Sequence, residues 1–422
     1  MQLLHFLGWV TGALFFLYAW VLRVAPSVMI DEMMRDLAVG ATLIGNLSAC
    51  YYYGYAGMQV PVGVLIDRFG ARRLMTMAAL VCALGCLVFG LSSGFWGVAA
   101  GRFLIGASAA FSLVGAMSVA ALWFPARRFA LFSGLAMMLG MAGGVAGQAP
   151  LRLLVDRLDW RTATMWLASG GIFIAFAAWA TVRDRPRPAT ERRPMLAGLG
   201  QVASNPQTWL ISIAGLGTTA PLLGFAGLWG VPFFVEAYHL DRTAAASVTS
   251  MMFVGWGIGA PLMGWFSDFI VRRRPPFVFG LLVCSAAMAT MLHVPELPVS
   301  ALMALCFMCG FGGSSQIVGF AAAREHNPVG LSATTLGVVN GMVTGAGALY
   351  QPLVGWCLDL TWQGQTLAGA RVYDAQSYRL ALSVLVAGTV LGFLCTLAIR
   401  ETSCRQISDT RQPSQTALAP RV

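Results

Sequence analysis

The chain has 422 residues, of which 58% are hydrophobic and 10% charged, against roughly 25% charged residues in an ordinary soluble domain. That balance excludes a water-soluble fold; in a bilayer the same length supplies about a dozen spans of roughly 20 residues with short connections. The net charge of +10 comes wholly from arginine, since the sequence has no lysine, and arginines lying between apolar runs read as topology signals rather than nucleic-acid contacts.

Breaking the sequence at charges and Pro/Gly turns predicts twelve membrane spans near residues 5–28, 41–66, 72–92, 95–123, 129–151, 161–182, 208–236, 244–268, 276–294, 298–323, 332–358 and 378–399. The first run has no basic n-region and no small-residue cleavage site, so it reads as a retained span and not a signal peptide. With the N-terminus inside, inner connections collect Arg68, Arg72, Arg73, Arg127, Arg128, Arg183 and the arginines at 185, 187, 192, 193 and 272–274. The outer ones keep few, so the bias predicts both termini in the cytoplasm. The polar stretch Arg183–Gln207 reads as a linker between two six-helix halves, 1–182 and 208–400, and 401–422 as a disordered cytoplasmic tail. The nine cysteines sit mostly in apolar runs and read as small core residues; Cys306-x-x-Cys309 lies in an uncharged span with no histidine nearby.

The tight turn between spans two and three is Gly63-Val64-Leu65-Ile66-Asp67-Arg68-Phe69-Gly70-Ala71-Arg72-Arg73. A parallel repeat predicts its recurrence between spans eight and nine. There the sequence is Gly264-Trp265-Phe266-Ser267-Asp268-Phe269-Ile270-Val271-Arg272-Arg273-Arg274, with the second glycine lost. This doublet resembles the signature loop of the major facilitator superfamily. Arg102-x-x-x-Gly106 on span four and the glycine-rich Gly140–Pro150 on span five resemble further elements of that family. The resemblance implies an all-α polytopic transporter: twelve transmembrane helices in two pseudo-symmetric six-helix bundles around a central cavity, working by alternating access. It also implies a gating set of Gly63, Asp67, Arg68, Arg72, Arg73, Arg102 and Asp268. Within it Asp67 latches onto the start of span eleven, around Ser332–Thr335; the alternative is that Asp67 and Arg68 only mark an interface. For Arg102 a gating or proton-moving role and a structural one, bonding helix carbonyls, are both open.

Arg23 is the sharpest candidate for substrate contact. A guanidinium inside a span costs several kcal/mol and faces a water-filled cavity or a partner, and its planar fork suits a carboxylate or phosphate. Leu22–Ser27 is similar to the first span of organic-anion carriers in the family, in which an arginine binds the anion; the alternative is snorkelling to the outer headgroups. Tyr52, Tyr55 and Gln59 share one face of span two and are expected to line the pocket beside Arg23. Gln148, Gln316, Asn340 and Gln351 are further polar groups at membrane depth, either substrate-binding or helix glue. The stretches around Ser314–Pro328, Gly337–Asn340 and Gln351–Gly355 resemble a subgroup of bacterial amino-acid importers and the lysosomal dipeptide transporter.

No buried carboxylate suited to a proton site is evident. That leaves a uniporter, or a proton-linked symporter whose proton is taken by an end residue such as Glu236, His239 or Glu325 or carried by the substrate itself. The expected function is therefore a monomeric inner-membrane carrier of a small carboxylate-bearing solute (amino acid, dipeptide or organic acid). The alternative is an efflux pump for hydrophobic compounds. No catalytic triad, nucleotide motif, cofactor site or metal cluster appears in the sequence.

Overall fold

The computed structural model describes residues 2–184, 195–367 and 370–406, and leaves the Asp67 side chain undescribed. Among the described residues twelve helical bodies cross the molecule. The first half contributes Gln2–Val24 with the 3-10 turn Ala25–Val28, then Ala41–Phe69, Ala71–Leu91, Phe95–Trp123, the pair Ala126–Ala146 and Ala149–Leu158, and Trp160–Thr181. The second contributes Pro206–Tyr238 in three segments, Arg242–Phe269, Arg274–His293, the pair Val299–Gly313 and Gln316–Glu325, Ser332–Thr361 and Ala375–Ala398. These are spans one to twelve below. Short additions that hydropathy did not signal are the helices Ile30–Leu37 and Met195–Ala203 and a two-stranded hairpin, Thr366–Leu367 with Ala370–Arg371.

Among the described residues, nine crossing helices and one bent pair are apolar enough to qualify as spans on hydropathy. Spans two and eleven fall short because they carry Asn46, Gln59 and Arg68 on one and Asn340, Gln351 and Asp359 on the other. Those two spans pack along one another and form the main contact between the bundles. Their polarity follows from facing protein rather than lipid.

Each bundle repeats the other's packing. Span four lies on spans two and three and span three on six; span ten lies on eight and nine and span nine on twelve. The crossings coincide residue by residue. A side chain at Gly54 would strike the Phe103 carbonyl and one at Gly106 the Tyr51 carbonyl; Gly255 meets the Phe307 carbonyl and Gly310 the Met252 carbonyl in the same way. The second set lies 201 to 204 positions after the first (255 − 54, 310 − 106). Small residues let the helix backbones touch where no hydrophobic force drives them together.

The signature turns also correspond. Gly70 adopts φ +86 as it ends span two, a conformation few side chains tolerate. Its counterpart Val271 takes φ +53 despite its branched side chain. A carboxylate just past the last helix of each half caps the start of that half's third helix. Asp184 Oδ1 accepts from the Arg72 amide at 3.1 Å, and Glu401 accepts from the Arg273 and Arg274 amides at 2.8 and 2.9 Å. The sequence-predicted linker falls partly outside the described residues, at 185–194, as does 407–422 of the tail; residues 401–406 are bonded to the second bundle through Glu401, Thr402 and Gln406.

The two faces differ. On the face opposite the termini the bundles are sealed: the Gly45 and Gly355 positions abut the backbone of Gln351 and Ala41 across the interface. Asp359, ending span eleven, accepts from the Ala41 and Thr42 amides that begin span two, at 3.2 and 2.8 Å, and also binds Arg371 and Tyr373. Arg242 of span eight bridges Asp31 and Glu32, and Glu32 also meets Arg152 of span five at 2.9 Å. Burial raises the Asp31 carboxyl above its ordinary value, with Arg242 pulling the other way. Towards the termini, by contrast, open space surrounds Gly57 and Gly63 of span two, Gly134 of span five and Gly337, Gly341 and Gly345 of span eleven.

Candidate functional site

Pro26 has no N–H, so the Leu22 carbonyl four residues earlier loses its helical donor and span one ends at Val24. Arg102 of span four fills that gap. Its Nη1 donates to the Leu22 carbonyl and its Nη2 to the Arg23 carbonyl at 2.6 Å. It is 2% exposed, and its Nε has no acceptor among the described residues. The guanidinium thus acts as a substitute backbone donor and fixes the rim on which Arg23 stands.

Arg23 is 6% exposed. Its guanidinium lies 4.1 Å from the ring centre of Trp20, 4.7 Å from Tyr55 and 5.2 Å from Tyr51, an aromatic cage that stabilises a desolvated cation. Its Nε donates to the Tyr51 hydroxyl at 3.2 Å, and that hydroxyl donates to the Ala19 carbonyl. Among the described residues no carboxylate pairs with it and neither Nη makes a hydrogen bond, so most of the fork is unspent. The Trp20 indole N–H beside it is buried and also lacks an acceptor. Two guanidinium groups share Tyr51, with Arg102 5.0 Å from the same ring. A buried cation pair of this kind, facing unspent donors and no acid, can hold an anion.

Of the residues singled out in the sequence, the structure brings Arg23, Arg102, Tyr52 and Tyr55 together around Tyr51. Tyr52 packs flat against Gly347 of span eleven, where any side chain would strike its ring. Gln59 lies a turn further towards the termini and accepts from Asn340 Nδ2 at 3.3 Å, the two residues meeting across the bundles. Gln351 and Gln148 both reach span seven, through the Leu223 and Ala226 carbonyls. Gln316 stands apart, accepting from Thr218 at 3.2 Å inside the second bundle.

The gating set is dispersed. Arg68 is exposed and stacks 5.1 Å from Phe69. Arg72 donates to the Trp179 carbonyl at 2.8 Å and lies over the Trp179 ring. Asp268 pairs with Arg273, which also grips Glu325. The Asp67 latch falls on the undescribed side chain. Sequence reasoning missed Trp20, whose signal was its i−3 spacing from Arg23, and Asp359, whose signal was a carboxylate at the far end of the helix expected to meet Asp67. Among the described residues no group of three or more His, Cys, Asp or Glu could hold a metal, and every cysteine is free.

Twelve helical spans in two repeated bundles, with a buried cation that no carboxylate pairs among the described residues, are the architecture of a membrane transporter. A family model described as Major Facilitator Superfamily matches residues 9–352 and 222–417. The chain belongs to that superfamily. It is 24% identical over 413 residues to the uncharacterized transporter YybO of Bacillus subtilis, covering 87% of each chain. It is 23% identical to the probable galactarate/D-glucarate transporter GudP of Escherichia coli, covering 83% of this chain and 86% of that one. Its fold matches a bacterial homologue of the human lysosomal transporter Spinster, solved inward-facing and unoccupied, with TM-score 0.78 at 15% identity over 97% of this chain and 99% of the other.

Proposed function

We propose that this transporter carries a small solute bearing a carboxylate, by alternating access around Arg23, as a uniporter or a proton-linked symporter. The carrying observation is that guanidinium: buried, caged by three aromatic rings, free of any carboxylate among the described residues and with both Nη groups unspent. The name of the GudP relative, which specifies sugar diacids, supports an organic acid within the expected class of amino acids, dipeptides and organic acids. Tyr52, Tyr55, Gln59 and Asn340 then line the path from Arg23 towards the face bearing the termini. On this reading that face is cytoplasmic, the membrane is the inner one, the protein works as a monomer, and the form described here is shut to the outside. The bundles are 1–182 and 208–400, joined by 183–207.

The test is uptake into proteoliposomes of labelled D-glucarate, an amino acid and a dipeptide, each against a neutral analogue. Uptake of at least one acid, with its neutral analogue excluded, is expected; the same rates for acid and neutral solutes would reject the reading. The aromatic wall of Trp20, Tyr51, Tyr52 and Tyr55 favours the second reading, efflux of hydrophobic compounds. Loss of resistance to several unrelated toxic compounds on gene deletion would promote it.

A further inference from the structure

Span seven is not one α-helix. Pro221–Trp229 winds as a π-helix between two α-helical segments, and all nine of its residues are buried. π-turns are normally single and cluster at functional sites, so a stretch this long needs support from outside itself. The support is two amides. Gln148 of span five donates its Nε2 to the Ala226 carbonyl at 2.8 Å, and Gln351 of span eleven donates to the Leu223 carbonyl at 2.7 Å. The Trp229 indole closes the second contact by donating to the Gln351 backbone carbonyl at 3.0 Å.

The two glutamines fall on corresponding spans of the two halves, five and eleven, 203 positions apart (351 − 148), with Pro150 two residues after the first and Pro352 one after the second. Each glutamine also meets the opposite bundle, Gln148 through its bond to span seven and Gln351 through its approach to span two. Gln148 reaches from the first bundle into span seven of the second. Gln351 lies 3.5 Å from the Tyr52 hydroxyl of the first bundle, and Tyr52 packs edge-on against Tyr51, which takes the hydrogen bond from Arg23. Because Gln351 Nε2 faces the Leu223 carbonyl, its Oε1 lies on the other side, buried and without a partner among the described residues.

We propose that Gln148 and Gln351 are positioning residues that hold span seven in its π-helical form and thereby keep the bundles closed on the face opposite the termini. Tyr51 and Tyr52 link this clasp to the occupancy of Arg23. Without the clasp, span seven relaxes to α-helical winding, turning one side of the helix relative to the other by about 100° for each residue of register given up. The inference rests on the transport reading, but its first test does not depend on the solute.

Spin labels at Gly94→Cys and Glu296→Cys, on the exposed turns of the two bundles at the sealed face, report that opening in purified protein whose half-exposed cysteines are replaced by serine. Gln148→Glu and Gln351→Glu keep the side-chain size and remove the donor; Gln148→Met and Gln351→Met serve if the acidic forms do not fold. Without any added solute, the distance distribution of each variant is expected to gain a long-distance population of at least threefold over the parent. A distribution identical to the parent's overturns the proposal. D-Glucarate transport is the second readout: a positioning role lowers turnover at least tenfold with KM within twofold, whereas a KM rise at unchanged turnover makes the glutamines solute contacts and overturns it. Failure of the parent itself to move D-glucarate bears on the substrate reading and leaves the label result to stand on its own.

Discussion

The two bundles share a scaffold and divide the work. Their crossings match, with Gly54 and Gly106 answered by Gly255 and Gly310, and their capping carboxylates match, with Asp184 answered by Glu401. The chemistry does not match. Where the first bundle buries Arg102 to complete a broken helix, the position 204 residues later is Cys306, a small buried thiol beside Met291. Where span one turns through a short 3-10 segment and presents Arg23, span seven expands into a π-helix of Pro, Gly, Leu, Phe, Ala and Trp. The repeat therefore keeps what packs helices together and varies the buried chemistry; on the proposed reading one half supplies the charge that meets solute and the other the wall that moves.

That contrast breaks most severely at the arginines. Cys306→Arg places a guanidinium where no carbonyl has been freed; an unpaired buried charge costs about 3–5 kcal/mol, and the purified variant is expected not to yield folded protein in size-exclusion chromatography. Arg102→Met removes the donors of two carbonyls at about 1–3 kcal/mol each, lowering the thermal midpoint and the transport rate together. Folded, fully active Arg102→Met would show that the rim of the site does not need it.

Smaller and symmetric losses are expected at the crossings. Gly106→Ala and Gly310→Ala each force two touching backbones apart, so their thermal midpoints should fall by similar amounts; a loss confined to one bundle would deny the shared scaffold. The signature turns sharpen the comparison in the opposite sense. Val271→Gly relieves a branched residue held at φ +53 and is expected to stabilise by about 1 kcal/mol, whereas Gly70→Ala destabilises. The smallest effect concerns the caps. Burial raises the Glu401 carboxyl, but the amides of Arg273, Ser403, Arg274 and Thr402 outweigh it and hold it below the usual range. Its contribution is therefore complete above the ordinary glutamate value near ~4.3 and lost as pH falls through the depressed one. Glu401→Gln should cost about 1 kcal/mol at neutral pH and flatten the acid side of the stability curve.

Much of the scaffold was legible because lipid imposes it: long apolar runs and the doubled loop are local signals. The breaks were not. Pro26 was visible, but whether a proline kinks, splits or widens a helix depends on which neighbour satisfies the freed carbonyl, and that donor, Arg102, comes from another span; the glutamines that brace span seven likewise reach it from spans five and eleven. For the same reason Arg23 was readable as an unusual residue, while its cage needed Trp20 and the tyrosines to be folded onto it. The amides of Gln148 and Gln351 were seen as polar groups at depth, yet only the three-dimensional arrangement showed them spent on span seven.

The account centres on Arg23 as the group that grips the solute's carboxylate. Equilibrium binding of D-glucarate to purified wild-type, Arg23→Lys and Arg23→Ala protein, at two salt concentrations, tests it most directly. Affinity should fall at least tenfold in Arg23→Lys, which keeps the charge and loses the planar fork, and further in Arg23→Ala. Equal affinity in all three proteins would contradict the account.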